Sequence, residues 1–185
     1  MGAGLTRPQD VKGIDGLITN VLGVTLVTMH ADCPAIFMFD PVKKVVGLAH
    51  AGWRGTVKKI ASELVRAFVQ NYNSSAKDLI CAVGPGISKC CFETSKTILP
   101  KFEKLNLTGN YIYEPNSKCT DKVNIDLLEV NRRLLIQRLL IQSGILTENI
   151  HISDVCTMCN HDLLFSYRFT NGKRGNNAAM ICISK

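Results

Sequence analysis

The chain has 185 residues and a formal net charge of +7, with 46% apolar and 20% charged residues. This length and composition are typical of one soluble globular domain, here residues 1–185, with a core of its own. No apolar run approaches the roughly 18 residues that a membrane-spanning helix needs, and the N-terminus has no signal-peptide pattern. We therefore expect a cytoplasmic protein with no membrane partner.

The excess of basic residues raises the question of whether the protein binds anions or nucleic acid. Basic residues number 22 against 15 acidic ones, which fits either a solvated surface or the attraction of small anions such as phosphate. No continuous basic tract and no aromatic-interleaved RNA-binding motif is present. We therefore expect no nucleic-acid partner. Because there is no signal peptide, we expect the eight cysteines to be reduced thiols, some of them metal ligands, rather than a disulfide framework.

The first half of the chain predicts strands and one helix. Short apolar, β-branched runs bounded by turn residues predict strands at 24–29, 35–39 and 45–49. Thr56 opens an amphipathic helix whose apolar residues keep the i, i+3, i+4, i+7 spacing of one face. The next strand, 79–83, ends at the Gly84-Pro85-Gly86 breaker.

The second half predicts one long helix and two short strands. The helix spans about 126–143, with Asp126 as a candidate N-cap and Gly144 as its stop. Strands follow at 150–152 and 178–183. Strands and helices alternate without a regular βαβ rhythm, so we predict an α+β fold in which helices pack on a mixed sheet that includes the C-terminal strand.

Cys33 and His50 carry the chemistry that the sequence suggests first. Cys33 lies in the break between two predicted strands, and His50 lies at the end of the next strand, before a glycine-rich turn. Strand ends are where sheets present catalytic groups. The pair could bind zinc, or it could act as a nucleophile and its base. The ordinary alternative is a buried thiol and an unrelated histidine.

The turn after His50 adds a candidate phosphate-binding group. Gly52 and Gly55 bracket Trp53 and Arg54 just before Thr56. Arg54 could hold phosphate with two hydrogen bonds, or it could pair with a surface carboxylate. Trp53 offers a face for stacking a base, although a single tryptophan is more often part of a core.

Several motifs together resemble a known family. They are Asp-Gly-Leu-Ile-Thr at 15–19, His-Ala-Asp-Cys-Pro at 30–34, Ala-His-Ala-Gly-Trp-Arg-Gly at 49–55, Gly-Pro-Gly-Ile at 84–87, Cys-Cys-Phe-Glu at 90–93 and Phe-Ser-Tyr-Arg at 165–168. Over essentially its whole length, the chain resembles the YfiH/laccase-domain family, read as purine nucleoside phosphorylases. The resemblance implies a YfiH-like mixed fold and a metal site, usually zinc, with three protein ligands.

Two of the family's ligands match Cys33 and His50. The third, a histidine in an upstream Gln-Val-His motif, has no counterpart in this sequence, so we expect the chain to be N-terminally short. His30 or a water molecule could take the vacant position. With only two of three ligands, we expect weak zinc binding and little turnover, and recovery of both in a longer chain.

The resemblance also implies an activity, and the chemistry of that activity suggests further site residues. It implies a zinc-dependent purine nucleoside phosphorylase with adenosine deaminase activity, acting on purine nucleosides and phosphate. Four histidines, His30, His50, His151 and His161, are too few for a multicopper cluster, which favours zinc over copper. We assign Arg54 and then Arg168 to catalysis. The substrate-binding candidates are Trp53, Gly84 and Cys91.

Other interpretations stay open. The chain could be a cysteine hydrolase or deamidase with Cys33 as nucleophile and His50 as base, or a non-enzymatic remnant domain. The Cys156-Thr157-Met158-Cys159 motif is interpreted as site wall or core, with an independent zinc site as the alternative. The pair at 90–91 is interpreted as packing or site lining rather than a vicinal disulfide. The preferred nucleoside and the oligomeric state stay open.

Overall fold

The structure, a computed structural model, describes residues 13–107, 112–143 and 148–184, without the side chains of 139–143. Its main sheet has five strands in the order β1-β4-β3-β5-β9. The strands are β1 (Gly16–Thr19), β3 (Ala35–Asp40), β4 (Val45–His50), β5 (Ile80–Val83) and β9 (Ile150–Ile152). Only the β5–β9 pair is parallel. The predicted mixed sheet is therefore confirmed, as is the α+β class.

Strand β4 is buried on both faces. Val45 and Ala49 belong to the core beneath the helices, whereas Val46 and Leu48 belong to a second core on the opposite face. This double burial explains why the strand is a continuous apolar run rather than an alternating one.

Helix α2 (Ile60–Tyr72) packs closely against β4. Its Phe68 is fully buried, and a Cβ at Gly47 would lie only 2.5 Å from the Phe68 ring. A glycine at position 47 therefore lets the helix approach the sheet. The amphipathic pattern correctly predicted this face.

The predicted start of the first helix at Thr56 is wrong. A short helix, α1 (Trp53–Val57), begins three residues earlier, and α2 follows as a separate element. Lys59, between them, has a left-handed φ of 62°, which interrupts the continuous i→i−4 hydrogen bonding of one helix.

Helix α4 (Leu127–Ser143) agrees with the prediction. The Glu129 amide donates to Asp126 Oδ1 at 3.0 Å, so Asp126 caps the helix as expected. The proposed stop at Gly144 lies outside the described residues. The helix buries Leu127, Leu134 and Leu135 completely or almost completely, and no helix within the described ranges is long and apolar enough to cross a membrane.

The C-terminal strand does not join the main sheet, which corrects the prediction. Strand β10 (Asn177–Ile181) pairs antiparallel with β2 (Leu26–His30) in a separate two-stranded sheet. Its Ala179 packs with Leu26 against the second face of β3 and β4. Both strands of this two-stranded sheet are thus positioned by pairing between distant parts of the chain, which a local sequence pattern does not encode.

The segment between β5 and β9 contains small elements that sequence patterns did not predict. They are β6 (Glu93–Ser95), α3 (Leu99–Glu103), β7 (Tyr113–Pro115) and β8 (Lys122–Ile125). A short 3₁₀ turn at Lys96–Ile98 lies between β6 and α3, and another at Ala76–Asp78 precedes β5. The strands form a sheet in the order β6-β8-β7. Each is three or four residues long, too short for a periodic signal.

Candidate metal centre and surrounding site

Cys33 and His50, the two predicted metal ligands, converge on Gly52. The antiparallel register pairs Ala35 of β3 with His50 of β4, which places the turn containing Cys33 beside His50. A Cβ at position 52 would lie 3.0 Å from Cys33 Sγ and 3.5 Å from His50 Nε2. The sulfur and the ring nitrogen therefore face a space that the missing side chain of Gly52 leaves open.

Asp15 orients His50. Its Oδ1 lies 3.4 Å from His50 Nδ1, and the His50 amide donates to the Asp15 carbonyl at 2.7 Å. A proton on Nδ1 shared with this carboxylate leaves the Nε2 lone pair facing Gly52 and Cys33. This is the arrangement by which carboxylates orient metal-binding histidines. Asp15 was noted in the sequence only as part of a motif, because a contact with residue 50 has no local signal.

The environment of Cys33 keeps its thiol protonated in the absence of a metal. Burial, followed by the neighbouring Asp32 carboxylate, raises the pKa of Cys33 to about 11, although Arg174 opposes this. Within the described part of the chain, no hydrogen bond joins Cys33 to His50. A reactive catalytic thiol needs the opposite, a lowered pKa and a base in contact.

His30, the internal alternative for a third ligand, is buried near this pair. In the described part of the chain, its ring nitrogens have no hydrogen-bond partner of normal geometry. Burial and the proximity of His50 lower the pKa of His30. Nevertheless, among the described residues, His30 does not form a three-ligand group with Cys33 and His50. Its role as a ligand stays a prediction.

Asp32 joins the Cys33 turn to three distant segments. Its Oδ1 accepts from the Thr157 hydroxyl, and its Oδ2 accepts from the Arg168 amide, both at 2.7 Å. Its own carbonyl accepts from the Ile87 amide at 2.7 Å. The residue is 6% exposed and has a positive φ of 78°. Sequence reasoning missed Asp32 as a site residue, because its partners are 125 and 136 positions away.

Arg54 and Trp53 stack on each other in α1. The Arg54 guanidinium carbon lies 4.6 Å from the centroid of the Trp53 ring, and Lys101 Nζ lies 5.4 Å from it. Arg54 is exposed, and no salt bridge joins it to a carboxylate in the part of the chain that the structure describes. Trp53 is half-buried and packs against the main core. The indole therefore packs against the core and also has two cationic side chains over its ring.

Arg168 and Gly84 both make contacts that hold neighbouring segments of the fold together. Arg168 Nη1 donates to the Glu93 carbonyl at 2.8 Å, and its guanidinium lies 5.6 Å from the Phe92 ring. Gly84 is buried, and a Cβ there would lie 3.2 Å from the Phe37 ring. The Gly84 amide donates to the Ala35 carbonyl at 2.8 Å. Their assigned roles in catalysis and substrate binding stay predictions.

Cys91, the remaining substrate-binding candidate, lies in a cluster of four cysteines. The Sγ atoms of Cys90, Cys91, Cys156 and Cys159 all lie within 4.8 Å of one another. Burial tends to raise the pKa of Cys156, but amides of Ser88, Cys159 and Met158 and the Cys90 thiol lower it to about 7. The two cysteine pairs are separate motifs in the sequence, and the folded chain brings them together. This is the one group of three or more convergent potential ligands among the described residues.

The fold and the Cys33–His50 pair define a mixed α+β protein with a candidate metal centre at the ends of its strands. The family model described as multi-copper polyphenol oxidoreductase laccase matches residues 3–184, and the chain belongs to this family. The resemblance drawn from the motifs is therefore confirmed.

Individual relatives agree with this assignment. The purine nucleoside phosphorylase YlmD of Bacillus subtilis (strain 168) is 34% identical over 171 residues, or 92% of this chain and 59% of that protein. The adenosine deaminase RL5 from an unknown prokaryotic organism is 33% identical over 85% of this chain and 58% of its own length. The crystal structure of the Bacillus licheniformis protein YfiH superposes with a TM-score of 0.84 at 32% identity, covering 92% of this chain and 61% of that one. The chain thus spans about three fifths of the length of these relatives.

Proposed function

We propose that this chain forms the zinc-binding part of a purine nucleoside phosphorylase that also deaminates adenosine. The observation that carries the proposal is the convergence of Cys33 Sγ and His50 Nε2 over Gly52, with Asp15 holding the far side of the imidazole. The names of the relatives, a purine nucleoside phosphorylase and an adenosine deaminase, support the substrate class.

The donor set fits zinc. Thiolate sulfur and imidazole nitrogen are ligands that zinc prefers, and a catalytic zinc keeps a position for substrate or water. The side chains of His50 and Asp15 are 34% and 58% exposed, so the site is open to solvent and to a small substrate. A zinc ion held here would supply Lewis acidity at neutral pH.

Phosphorolysis places a specific demand on the protein. A phosphate oxygen bonds to C1′ of the ribose while the C1′–N9 bond breaks, and the purine leaves with a proton. The enzyme must therefore hold an anion beside a sugar that gains positive charge. Arg54 is our candidate for holding phosphate, because its guanidinium is exposed and directly follows the metal-binding turn. Arg168 is the second candidate, since its guanidinium has five N–H donors and, among the described residues, donates one hydrogen bond, to the Glu93 carbonyl.

Deamination places a different demand on the same site. Water replaces the 6-amino group of adenosine, and ammonia leaves. The water must give up a proton at neutral pH, which is the chemistry that zinc assists. A free cysteine nucleophile is less suited to the observed environment, because burial and Asp32 hold Cys33 in its neutral form.

The direct test is to measure metal and products on the same protein. The purified chain is analysed for zinc and incubated with inosine and phosphate, and separately with adenosine. Turnover should be slow, because only two protein ligands, Cys33 and His50, hold the zinc. Mass spectrometry should identify small amounts of hypoxanthine with ribose 1-phosphate in the first mixture and of inosine in the second. Cys33→Ser and His50→Ala should lose both products together with the zinc held at this pair.

Cys182→Ser is the matched control, since Cys182 is an exposed cysteine outside the site. It should retain both metal and activity. Activity that survives complete removal of zinc but disappears after alkylation of Cys33 would support the hydrolase mechanism instead. A longer chain that holds zinc at this pair and forms none of these products would indicate a non-enzymatic domain.

A further inference from the structure

Two loops that are distant in the sequence bring four cysteines into one cluster. Cys90 and Cys91 lie in the turn before β6, and Cys156 and Cys159 lie in the loop after β9. Cys159 Sγ lies 3.6 Å from Cys90 Sγ and 3.5 Å from Cys91 Sγ. We propose that these four cysteines bind one zinc ion as a structural site, separate from the Cys33–His50 pair.

The sulfur geometry matches a four-thiolate zinc site. Four sulfurs bound tetrahedrally at about 2.3 Å from zinc lie ~3.8 Å from one another. The four Sγ atoms here are all within 4.8 Å of each other, so small side-chain rotations suffice to surround one ion. A disulfide would instead bring one pair to about 2.05 Å and leave the other two sulfurs without a partner.

The backbone around Cys156 supports a negatively charged sulfur. The Ser88 amide donates to Cys156 Sγ at 3.5 Å, from the loop that carries Cys90 and Cys91. The two loops are further joined by an isolated bridge between Gly86 and Cys156, in which the Thr157 amide donates to the Gly86 carbonyl at 3.1 Å. The sulfurs are thus brought together by fixed backbone rather than by flexible side chains alone.

A metal at this cluster would stabilise the neighbouring site without taking part in its chemistry. Thr157, between the two cysteines of the Cys156–Cys159 loop, donates to Asp32, which directly precedes Cys33. Phe92 and Glu93, directly after Cys91, contact the guanidinium of Arg168. One ion would therefore fix both loops that support the Cys33 turn and Arg168, in the way that structural zinc ions replace a larger core.

The experiment counts metal ions in the complete chain and in matched variants. The protein is purified in the presence of zinc without chelators, and bound zinc is measured by mass spectrometry of the native protein and by elemental analysis. The double variant Cys90→Ser/Cys159→Ser should bind one zinc fewer than the original chain, because both cysteines are exposed and contribute ligands rather than packing. Cys182→Ser should show no change.

Cobalt provides a readout that is independent of activity. Cobalt(II) bound to four thiolates gives intense visible and near-ultraviolet bands. These bands should persist in Cys33→Ser and disappear in Cys90→Ser/Cys159→Ser. The cobalt bands therefore test the four-cysteine site even if the proposed function at Cys33 is wrong, because a different variant removes each site.

A measurement on the unaltered chain keeps the proposal testable if the double variant does not fold. The four cysteines should resist alkylation when zinc is bound and react at least about ten-fold faster after chelation, because a bound thiolate is not free to attack. Equal zinc content in the original chain and the folded double variant would overturn the proposal. So would equal alkylation with and without chelator, or a disulfide among these four cysteines in the zinc-treated protein.

Discussion

At the scale of single residues, the candidate metal centre depends on groups that are not among its proposed ligands. Asp15 contacts Nδ1 of His50, so that Nε2 faces Cys33, and Gly52 leaves open the space between these two candidate ligand atoms. A side chain at position 52 would occupy that space. The ligands alone therefore do not define the site.

Asp15→Ala should weaken zinc binding at the Cys33–His50 pair by about 10–100-fold, because the imidazole loses its orienting carboxylate. Titration with a competing chelator measures this affinity. Asp162→Ala is the matched control, since Asp162 makes a similar contact with His161, at 3.2 Å, outside the site. Equal zinc affinities in the two variants would show that Asp15 does not position His50.

Arg54→Lys should raise the Michaelis constant for phosphate by about ten-fold and change that for the nucleoside much less. Lysine retains the charge but loses the planar fork that binds two oxygens, a loss of one charge-assisted hydrogen bond. Steady-state kinetics with each substrate varied in turn measures both constants. Arg66→Lys, on the exposed face of α2 beside Glu63, is the control. A phosphate constant equal to that of the control would indicate that Arg54 only covers Trp53.

At the scale of elements, one buried polar contact links α1 to α4. The Thr56 hydroxyl donates to the Ala51 carbonyl at 3.1 Å and accepts from Asn131 Nδ2 at 3.0 Å. Both Thr56 and Asn131 are fully buried. The residue that the sequence suggested as a helix start is thus an internal connection between the turn after His50 and the long helix.

Thr56→Val should lower the free energy of unfolding by about 1–3 kcal/mol. The side chain keeps its shape, but the Ala51 carbonyl and one hydrogen of Asn131 lose their partner without access to water. Urea unfolding measures the difference. Thr97→Val is the control, because Thr97 is exposed and its hydroxyl bonds to the nearby Ser95. It should change stability by less than about 0.5 kcal/mol. A similar small change at Thr56 would show that water or a local rearrangement satisfies the buried groups.

At the scale of the whole molecule, Asp32 holds together segments from three parts of the chain. Its contacts with Ile87, Thr157 and Arg168 fix the loops that surround the Cys33 turn. A buried carboxylate stabilises a structure only when all of its hydrogen-bond donors are correctly positioned. This network, rather than a continuous secondary-structure element, gives the candidate site its shape.

Asp32→Ala should destabilise the fold by about 3 kcal/mol or more, because it leaves the Arg168 amide and the Thr157 hydroxyl unpaired and places alanine at a positive φ. Asp32→Asn should be markedly milder, since asparagine tolerates that φ and keeps one acceptor oxygen. Urea unfolding gives the energies, and hydrogen exchange at the Arg168 amide reports the local contact. Equal losses in both variants, with unchanged exchange at Arg168, would contradict this role.

The sequence by itself determined the features that depend on local periodicity. The apolar runs located the central strands, the amphipathic pattern identified the buried face of α2, and Asp126 marked the start of α4. The positions of Cys33 and His50 at strand ends followed from the same runs. These features follow from short-range sterics and burial, which neighbouring residues encode.

Only the tertiary structure decided the features that depend on distant partners. It paired β10 with β2 rather than with the main sheet, broke the first helix at Lys59, and joined Asp15 to His50. It also brought together Cys91 and Cys159, which are 68 residues apart. The local sequence of a strand does not specify which other strand it pairs with. Nor does it specify which distant group a side chain will contact. The choice is made by simultaneous burial and hydrogen bonding in the folded molecule, where each contact is satisfied only because the others are.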